Sequence, residues 1–165
     1  METLNYAKIR DVKSPVRSTP GSAGIDFFIP EDFPSLALFP GYDVLIPSGI
    51  KAKIPEGYML MGADKSGIVS SKEAKSRAGI DPRKGTSTSL IIGAKIVDED
   101  YQGEIHIHII NVGQHTVILK PGMKIAQFIL VPVLYAEPVE VPEYSLFSEA
   151  TERGSGGFGS TQKDE

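Results

Sequence analysis

The stretch EIHIHIIN, Glu104–Asn111, decides the fold. It alternates strictly at first, with Ile105, Ile107 and Ile109 on one side and Glu104, His106 and His108 on the other. Successive side chains of a strand point to opposite faces, so this pattern predicts a strand half buried against a core. Working outward, IDFFIP (25–30), YDVLIP (42–47), IKAKIP (50–55) and YMLMGA (58–63) are short apolar or alternating runs, each bounded by Pro or Gly. HTVILKPG (115–122) reads as a short strand ending in a turn, and KIAQFILVPV (124–133) as a buried run. Runs this short and this often interrupted predict a mainly β fold, a sandwich or barrel. One short helix is expected over SSKEAKSRAG, Ser70–Gly79, which has good helix formers and a glycine stop. Beyond Val141 the aliphatic residues thin out and periodicity ends. Residues 1–141 are therefore expected as the core and 142–165 as a flexible C-terminal arm outside it.

The 165 residues are enough for one domain with a real core. Hydrophobic content of 41%, charged content of 23% and a net charge of −4 are those of an ordinary globular protein. Mild acidity argues against a nucleic-acid partner, which would call for a basic stripe. It leaves room for a small anionic ligand held by local cations. The absence of cysteine excludes disulfides, a thiolate nucleophile and cysteine-ligated zinc. No apolar run approaches the ~20 residues of a membrane span, and the opening METLNYAKIRDVKSP has no continuous apolar segment. A cytoplasmic protein is expected.

Several features bear chemistry. In GADKSGI, Gly62–Ile68, a lysine, a hydroxyl and free backbone amides ahead of the expected helix form either an anion site or a capped turn with a solvated lysine. The Walker spacing GxxxxGK[ST] is absent. In GAKIVDEDYQGE, Gly93–Glu104, a hairpin-like segment sets Asp98, Glu99 and Asp100 beside Tyr101. That is a charged turn, or a carboxylate that activates water while the hairpin frames a flat ligand. ERGSGGFGST, Glu152–Thr161, has the composition of a disordered tail. Yet it holds an arginine fork for phosphate, an aromatic ring able to cover a base, and the hydroxyls of Ser160 and Thr161. His106 and His108 share a strand face without a third ligand at suitable spacing, so a polar face is expected there. Gln127, alone among apolar neighbours in KIAQFIL, is either a core amide or a ligand contact.

The order of these fragments resembles the trimeric dUTP pyrophosphatase (dUTPase) family. AGIDF (Ala23–Phe27), KSGI (Lys65–Ile68), VDEDYQGE (Val97–Glu104), GMKIAQFIL (Gly122–Leu130) and RGSGGFGST (Arg153–Thr161) match its five motifs in sequence. The resemblance implies a distorted jelly-roll, or β-clip, subunit in a homotrimer with active sites shared between subunits. It also implies hydrolysis of dUTP to dUMP and pyrophosphate with Mg²⁺, which keeps uracil out of DNA and supplies dUMP. Asp98 would be the base that orients and deprotonates the attacking water. Tyr101 would pack on the deoxyribose and exclude a 2′-hydroxyl. Lys65, Ser66 and Gly67 would hold phosphates from a neighbouring subunit, with Gln127 near the α-phosphate. The backbone of Ala94, Lys95 and Ile96 would read the pyrimidine edge. Phe158 would stack over the uracil, with Gly159 beside it in substrate binding, while Arg153, Ser160 and Thr161 close on the γ-phosphate. Asp26 would support the second motif. Cleavage of a phosphoanhydride calls for charge neutralisation and an in-line water rather than covalent catalysis. Mg²⁺ keeps several waters, so triphosphate and water are expected as its ligands, with no direct protein ligand.

This chain also departs from the family pattern. Lys65 replaces the usual arginine, and a longer segment at 70–89 follows the second motif. Lys95 stands at a glycine position and Ile92 near an asparagine position of the hairpin. These variants look like those of phage-encoded members, in which case the location would be the host cytoplasm. They keep a 5-modified dUTP or dCTP as alternative substrates, and a nucleotide-responsive trimer that binds a partner protein as an alternative role. The related dCTP deaminases carry an essential glutamate where this chain has His108, which disfavours deamination.

Overall fold

The computed structural model describes residues 3–64 and 90–156. The expected helix at Ser70–Gly79 and the 70–89 segment lie outside them. The chain forms two compact units that divide between Leu134 and Tyr135. The first contains β1 (Asn5–Lys8), β2 (Ile25–Phe28), β3 (Leu36–Leu38), β4 (Asp43–Pro47), β5 (Ile50–Lys53), β6 (Tyr58–Ala63), β7 (Leu90–Ile92), β8 (Ile96–Val97), β9 (His106–Asn111), β10 (Val117–Leu119) and β11 (Lys124–Pro132). The mainly β expectation holds. Every pairing is antiparallel: a four-stranded sheet β2-β11-β6-β8, a three-stranded sheet β4-β9-β7, and the pairs β1-β5 and β10-β3.

The alternation in Glu104–Asn111 is realised as read: Ile105, Ile107 and Ile109 are all buried. They join Phe27, Ile46, Ile50, Leu60, Ile92, Leu119 and Phe128 in one apolar cluster to which every sheet contributes. On the opposite face of β9, His106 Nδ1 lies 2.9 Å from the Glu104 carbonyl and His108 Nε2 lies 2.8 Å from Asp43 Oδ2. The register of β11 against β2 shifts between Lys124 and Ala126. That extra residue is a bulge, and it explains why the consecutive Ile125 and Ala126 are both buried. Past the bulge the two-residue period resumes, with Phe128 inward and Gln127 partly exposed.

The hairpin-like reading of 93–104 is half of what the chain does. β7 and β9 do pair as the arms of a hairpin, Ile92 opposite Ile109. Between them, however, β8 leaves for the other sheet and pairs with β6, Met61 opposite Ile96. Sequence periodicity reports which face is buried and carries no information on which partner a two-residue strand will choose.

Polar burial is fully committed at Asn111. Its Nδ2 donates to the carbonyls of Leu38 and His115, and its Oδ1 accepts the Gly113 N–H. It thereby closes the turn after β9 against β3. The second unit is exposed along nearly all of its described length, with one 3-10 turn at Glu143–Ser145. Among the described residues no helix is long and apolar enough to cross a membrane. Replacement Asn111→Ala strands two carbonyls and an amide, at roughly 1–3 kcal/mol for each group that stays buried. Urea denaturation is expected to show a lower midpoint at unchanged slope.

Candidate active site

The register of the four-stranded sheet places candidate residues in one row. Gln127 on β11 faces Asp26 on β2 and Ala63 on β6. The Gln127 amide donates to the carbonyl of Asp64, the last described residue before Lys65. A Cβ on Gly24 would overlap the Gln127 side chain, so this glycine is what lets the amide lie against the backbone of the first motif. Asp26 is buried; its Oδ2 accepts from Ser18 Oγ at 2.7 Å and lies 2.8 Å from Lys124 Nζ. Its described partners thus tie the first motif to the fourth. Lys65, Ser66 and Gly67 themselves lie outside the described residues, as do Phe158, Gly159, Ser160 and Thr161.

The row continues through β8. Gly62 N–H donates to the Lys95 carbonyl at 2.6 Å, which docks the 94–96 segment beside the end of β6. Asp64 fastens the same corner: its Oδ1 accepts the Ile92 N–H at 2.7 Å and its Oδ2 lies 3.7 Å from Lys95 Nζ. Among the described residues the N–H groups of Ala94 and Lys95 have no acceptor. Asp64 escaped the sequence reading. The only signal was its place before Lys65, and a carboxylate there reads equally as a solvated turn.

At the other end of β8 the chain turns. Tyr101 N–H donates to the Asp98 carbonyl at 3.2 Å, so one turn presents both the Asp98 carboxylate and the Tyr101 ring. Of the three consecutive acids, Glu99 is committed, since its Oε2 accepts the Gly57 N–H. Gly57 sits at φ +79°, a conformation glycine adopts without strain. The Asp98 carboxylate has no hydrogen-bond or salt-bridge partner among the described residues. Tyr101 lines a groove of about 490 Å³ together with Glu99, Asp100, Tyr6, Lys51 and Lys53. None of the residues at the Gln127 end lines it. Within one chain Gln127 thus lies outside the groove that Tyr101 lines.

Glu104 ends this loop. Its carboxylate receives Arg10 Nε at 2.8 Å and Gly49 N–H at 2.7 Å. Burial pushes the carboxyl up, but the hydrogen bonds from Arg10 and Gly49 and the nearby Arg10 and His106 charges outweigh it and hold it below its ordinary value. The same pairing, with Asp32 added, holds the Arg10 guanidinium above its ordinary value. In the second unit, Arg153 turns back on its own backbone, Nε donating to the Gly156 carbonyl at 2.9 Å.

Two backbone N–H groups and a carboxylate without partners among the described residues, and a tyrosine-lined groove, lie on an antiparallel β scaffold, so the class is a β protein. The dUTPase family model matches residues 34–162. The deoxyuridine 5′-triphosphate nucleotidohydrolase of Chlamydia pneumoniae is 43% identical over 147 residues, 89% of each chain. That of Hydrogenobaculum sp. is 35% identical over 159 residues, 96% of each chain. The chain belongs to the dUTPase family. Among solved structures, Staphylococcus bacteriophage 80alpha dUTPase with dUpNHpp shares the fold at a TM-score of 0.73, with 24% identity over 99% of this chain and 100% of that one. The dUTPase of phage phi11 of S. aureus, described with a structural Mg(II) ion, matches at 0.67 and 23% identity over 87% and 99%.

The depressed Glu104 carboxyl fixes the sign of one pH effect. A group whose folded pKa lies below its unfolded one contributes stability in full above the unfolded value and loses it as pH falls through the folded one. The charged groups facing it are Arg10, Asp32 beyond Arg10, and His106. In thermal unfolding, the Tm advantage over Glu104→Gln is expected to be level at neutral pH and to shrink as pH drops below 4.5.

Proposed function

We propose that this chain hydrolyses dUTP to dUMP and pyrophosphate with Mg²⁺, as a cytoplasmic homotrimer whose active sites are shared between subunits. The observation that carries the reading is the turn at Asp98–Tyr101, which presents an unpartnered carboxylate and an exposed ring from one loop. Asp98 orients and deprotonates the water that attacks the α-phosphate. A positioned carboxylate base contributes about 10²–10⁴ in rate. The Tyr101 ring packs on the deoxyribose and leaves no room for a 2′-hydroxyl. The open N–H groups of Ala94 and Lys95, with Ile96 anchoring the segment on β6, read the acceptor edge of the pyrimidine.

Gln127, fixed against Gly24 and Asp64, faces the α-phosphate. Lys65, Ser66 and Gly67 hold the phosphates of a neighbouring subunit's substrate; motif identity supports this role. The position of Gln127 outside the groove lined by Tyr101 is in keeping with a site completed by another copy. Asp26, joined to Ser18 and Lys124, supports the corner from which Lys65 departs. The arm beyond residue 141 supplies Arg153, Ser160 and Thr161 to the γ-phosphate, with Phe158 over the base and Gly159 allowing close approach. Mg²⁺ favours oxygen ligands and retains water, so the triphosphate and water hold it without a direct side-chain ligand. When bound it neutralises charge on the triphosphate.

Pyrophosphate release should be measured with dUTP, dCTP, dTTP, UTP and 5-hydroxymethyl-dUTP. Lys95, drawn toward Asp64 at the base-reading segment, is the reason to include the modified bases. The expected result is dUTP among the best substrates, and a loss of roughly 10²–10⁴ in kcat for Asp98→Asn. Preference for another nucleotide would refute the substrate assignment. Truncation before Arg153 is expected to keep the oligomer, read by light scattering, and to lose most turnover. Normal turnover in that variant would remove the arm from the mechanism.

A further inference from the structure

The loop that carries Tyr101 is anchored by residues that the hydrolytic reading leaves without a task. Arg10 lies 94 residues before Glu104 and grips it with two nitrogens: Nε to Oε1 at 2.8 Å and Nη2 to Oε2 at 3.3 Å. Its remaining Nη1 donates to Asp32 Oδ2 at 3.0 Å. A guanidinium fork on a carboxylate fixes direction as well as distance, which a lysine would not do. Gly49 N–H adds a third bond to Glu104 Oε1 at 2.7 Å. The Glu104 side chain is only 12% exposed, so the protein rather than solvent sets its position.

The backbone of the same residue holds the tyrosine. Tyr101 Oη donates to the Glu104 carbonyl at 2.9 Å. Between them, Gly103 passes so close to the phenol that an added Cβ would overlap it. The ring is therefore seated on one backbone unit and tethered at its tip to the next. That next unit is pinned through its own side chain to Arg10 and Gly49. Movement at Arg10 has a short, fully bonded route to the ring: guanidinium, carboxylate, Glu104 backbone, phenol.

We infer that the Arg10–Glu104 pair positions Tyr101 and thereby sets discrimination between deoxyribose and ribose nucleotides, which rests on the assignment of Tyr101 to the sugar. A steric wall rejects a single hydroxyl only as well as the wall resists retreat, and a displacement of about 1 Å is enough to spoil such a site. Loosening the tether lets the ring yield to a 2′-hydroxyl. The deoxy substrate packs on the ring without the bulk of a 2′-hydroxyl, so its turnover depends less on the tether. Arg10 and Glu104 are positioning residues: neither touches substrate.

The test compares kcat/KM for dUTP and UTP in wild type, Glu104→Ala, Glu104→Gln, Arg10→Met and Arg10→Lys, with Tm for each. The Tyr101 ring is followed by NMR of ring-¹³C tyrosine protein, assigned through Tyr101→Phe. Expected is a fall of about tenfold or more in the dUTP/UTP ratio for Glu104→Ala and Arg10→Met, with a displaced Tyr101 resonance. Glu104→Gln, which keeps an acceptor oxygen, and Arg10→Lys, which keeps the charge without the fork, are expected to fall between. The double variant Arg10→Met with Glu104→Ala should be no less selective than the worse single change, because the two act as a unit. An unmoved resonance with an unchanged ratio overturns the tether. A displaced resonance with an unchanged ratio overturns the sugar-facing role of Tyr101, and the inference with it. Equal losses on both substrates reduce the pair to a structural role. Should Glu104→Ala fail to fold, Arg10→Met carries the same decision.

Discussion

The first unit depends on β11 being paired along both edges. Its Gln127–Phe128 segment is hydrogen-bonded to β2 on one side and to β6 on the other. Phe128 and Phe27 meet across that seam with ring centroids 4.7 Å apart, tilted by 56°. Strand pairing has a side-chain period of two, so a slip of one residue would exchange every inward side chain for an outward one. It would send Gln127 into the apolar cluster and turn Phe128 away from it. Core burial thus enforces the register, and the register brings Asp26, Gln127 and the approach to Lys65 into one row. That row is a by-product of a packing constraint.

A second constraint is the exchange of β8 between sheets. A plain hairpin from β7 to β9 would leave residues 93–105 as a loop with no support beyond its two arms. By pairing with β6, β8 fixes the 94–96 segment against Gly62 and returns the chain to β9 from a different direction. The return path needs its own anchors, and polar ones supply them: Glu99 to Gly57 and Glu104 to Gly49 and Arg10. Each is a carboxylate accepting a backbone N–H that the surrounding turn would otherwise leave unmatched. The result is a loop anchored at Glu99 and Glu104, with Tyr101 tethered between them.

Much of this was legible in the sequence because it rested on local rules. The alternation of Glu104–Asn111 showed its buried face, and Pro and Gly bounded most of the longer strands. β1 and β3 left no such trace: β1 is exposed along its whole length, and both exist because β5 and β10 pair with them. The bulge at Ile125 was hidden as well, since two adjacent apolar residues in a run of apolar residues carry no mark. For the candidate site, the residues proposed to bear chemistry were named from their order along the chain. Those that hold them were not. Arg10, Lys124 and Asp64 are ordinary charged residues whose partners lie 94, 98 and 28 positions away in Glu104, Asp26 and Ile92, and only folding discloses the pairing.

The division between committed and open groups carries the last step. A buried or half-buried polar group left without a partner costs free energy, so a fold satisfies such groups wherever nothing else will. In this chain Glu99, Glu104, Asp64, Asn111 and the Gln127 amide are all engaged. The Ala94 and Lys95 N–H groups and the Asp98 carboxylate are not, within the described residues. These groups, donors at one end of β8 and a carboxylate at the other, sit on exposed residues where solvent or a ligand can meet them. Gly62 and Asp64 hold the backbone that bears the donors, and the Tyr101 N–H closes the turn that bears Asp98. Backbone held in this way is ordered before any ligand arrives, so binding there does not have to bear the entropy of fixing it.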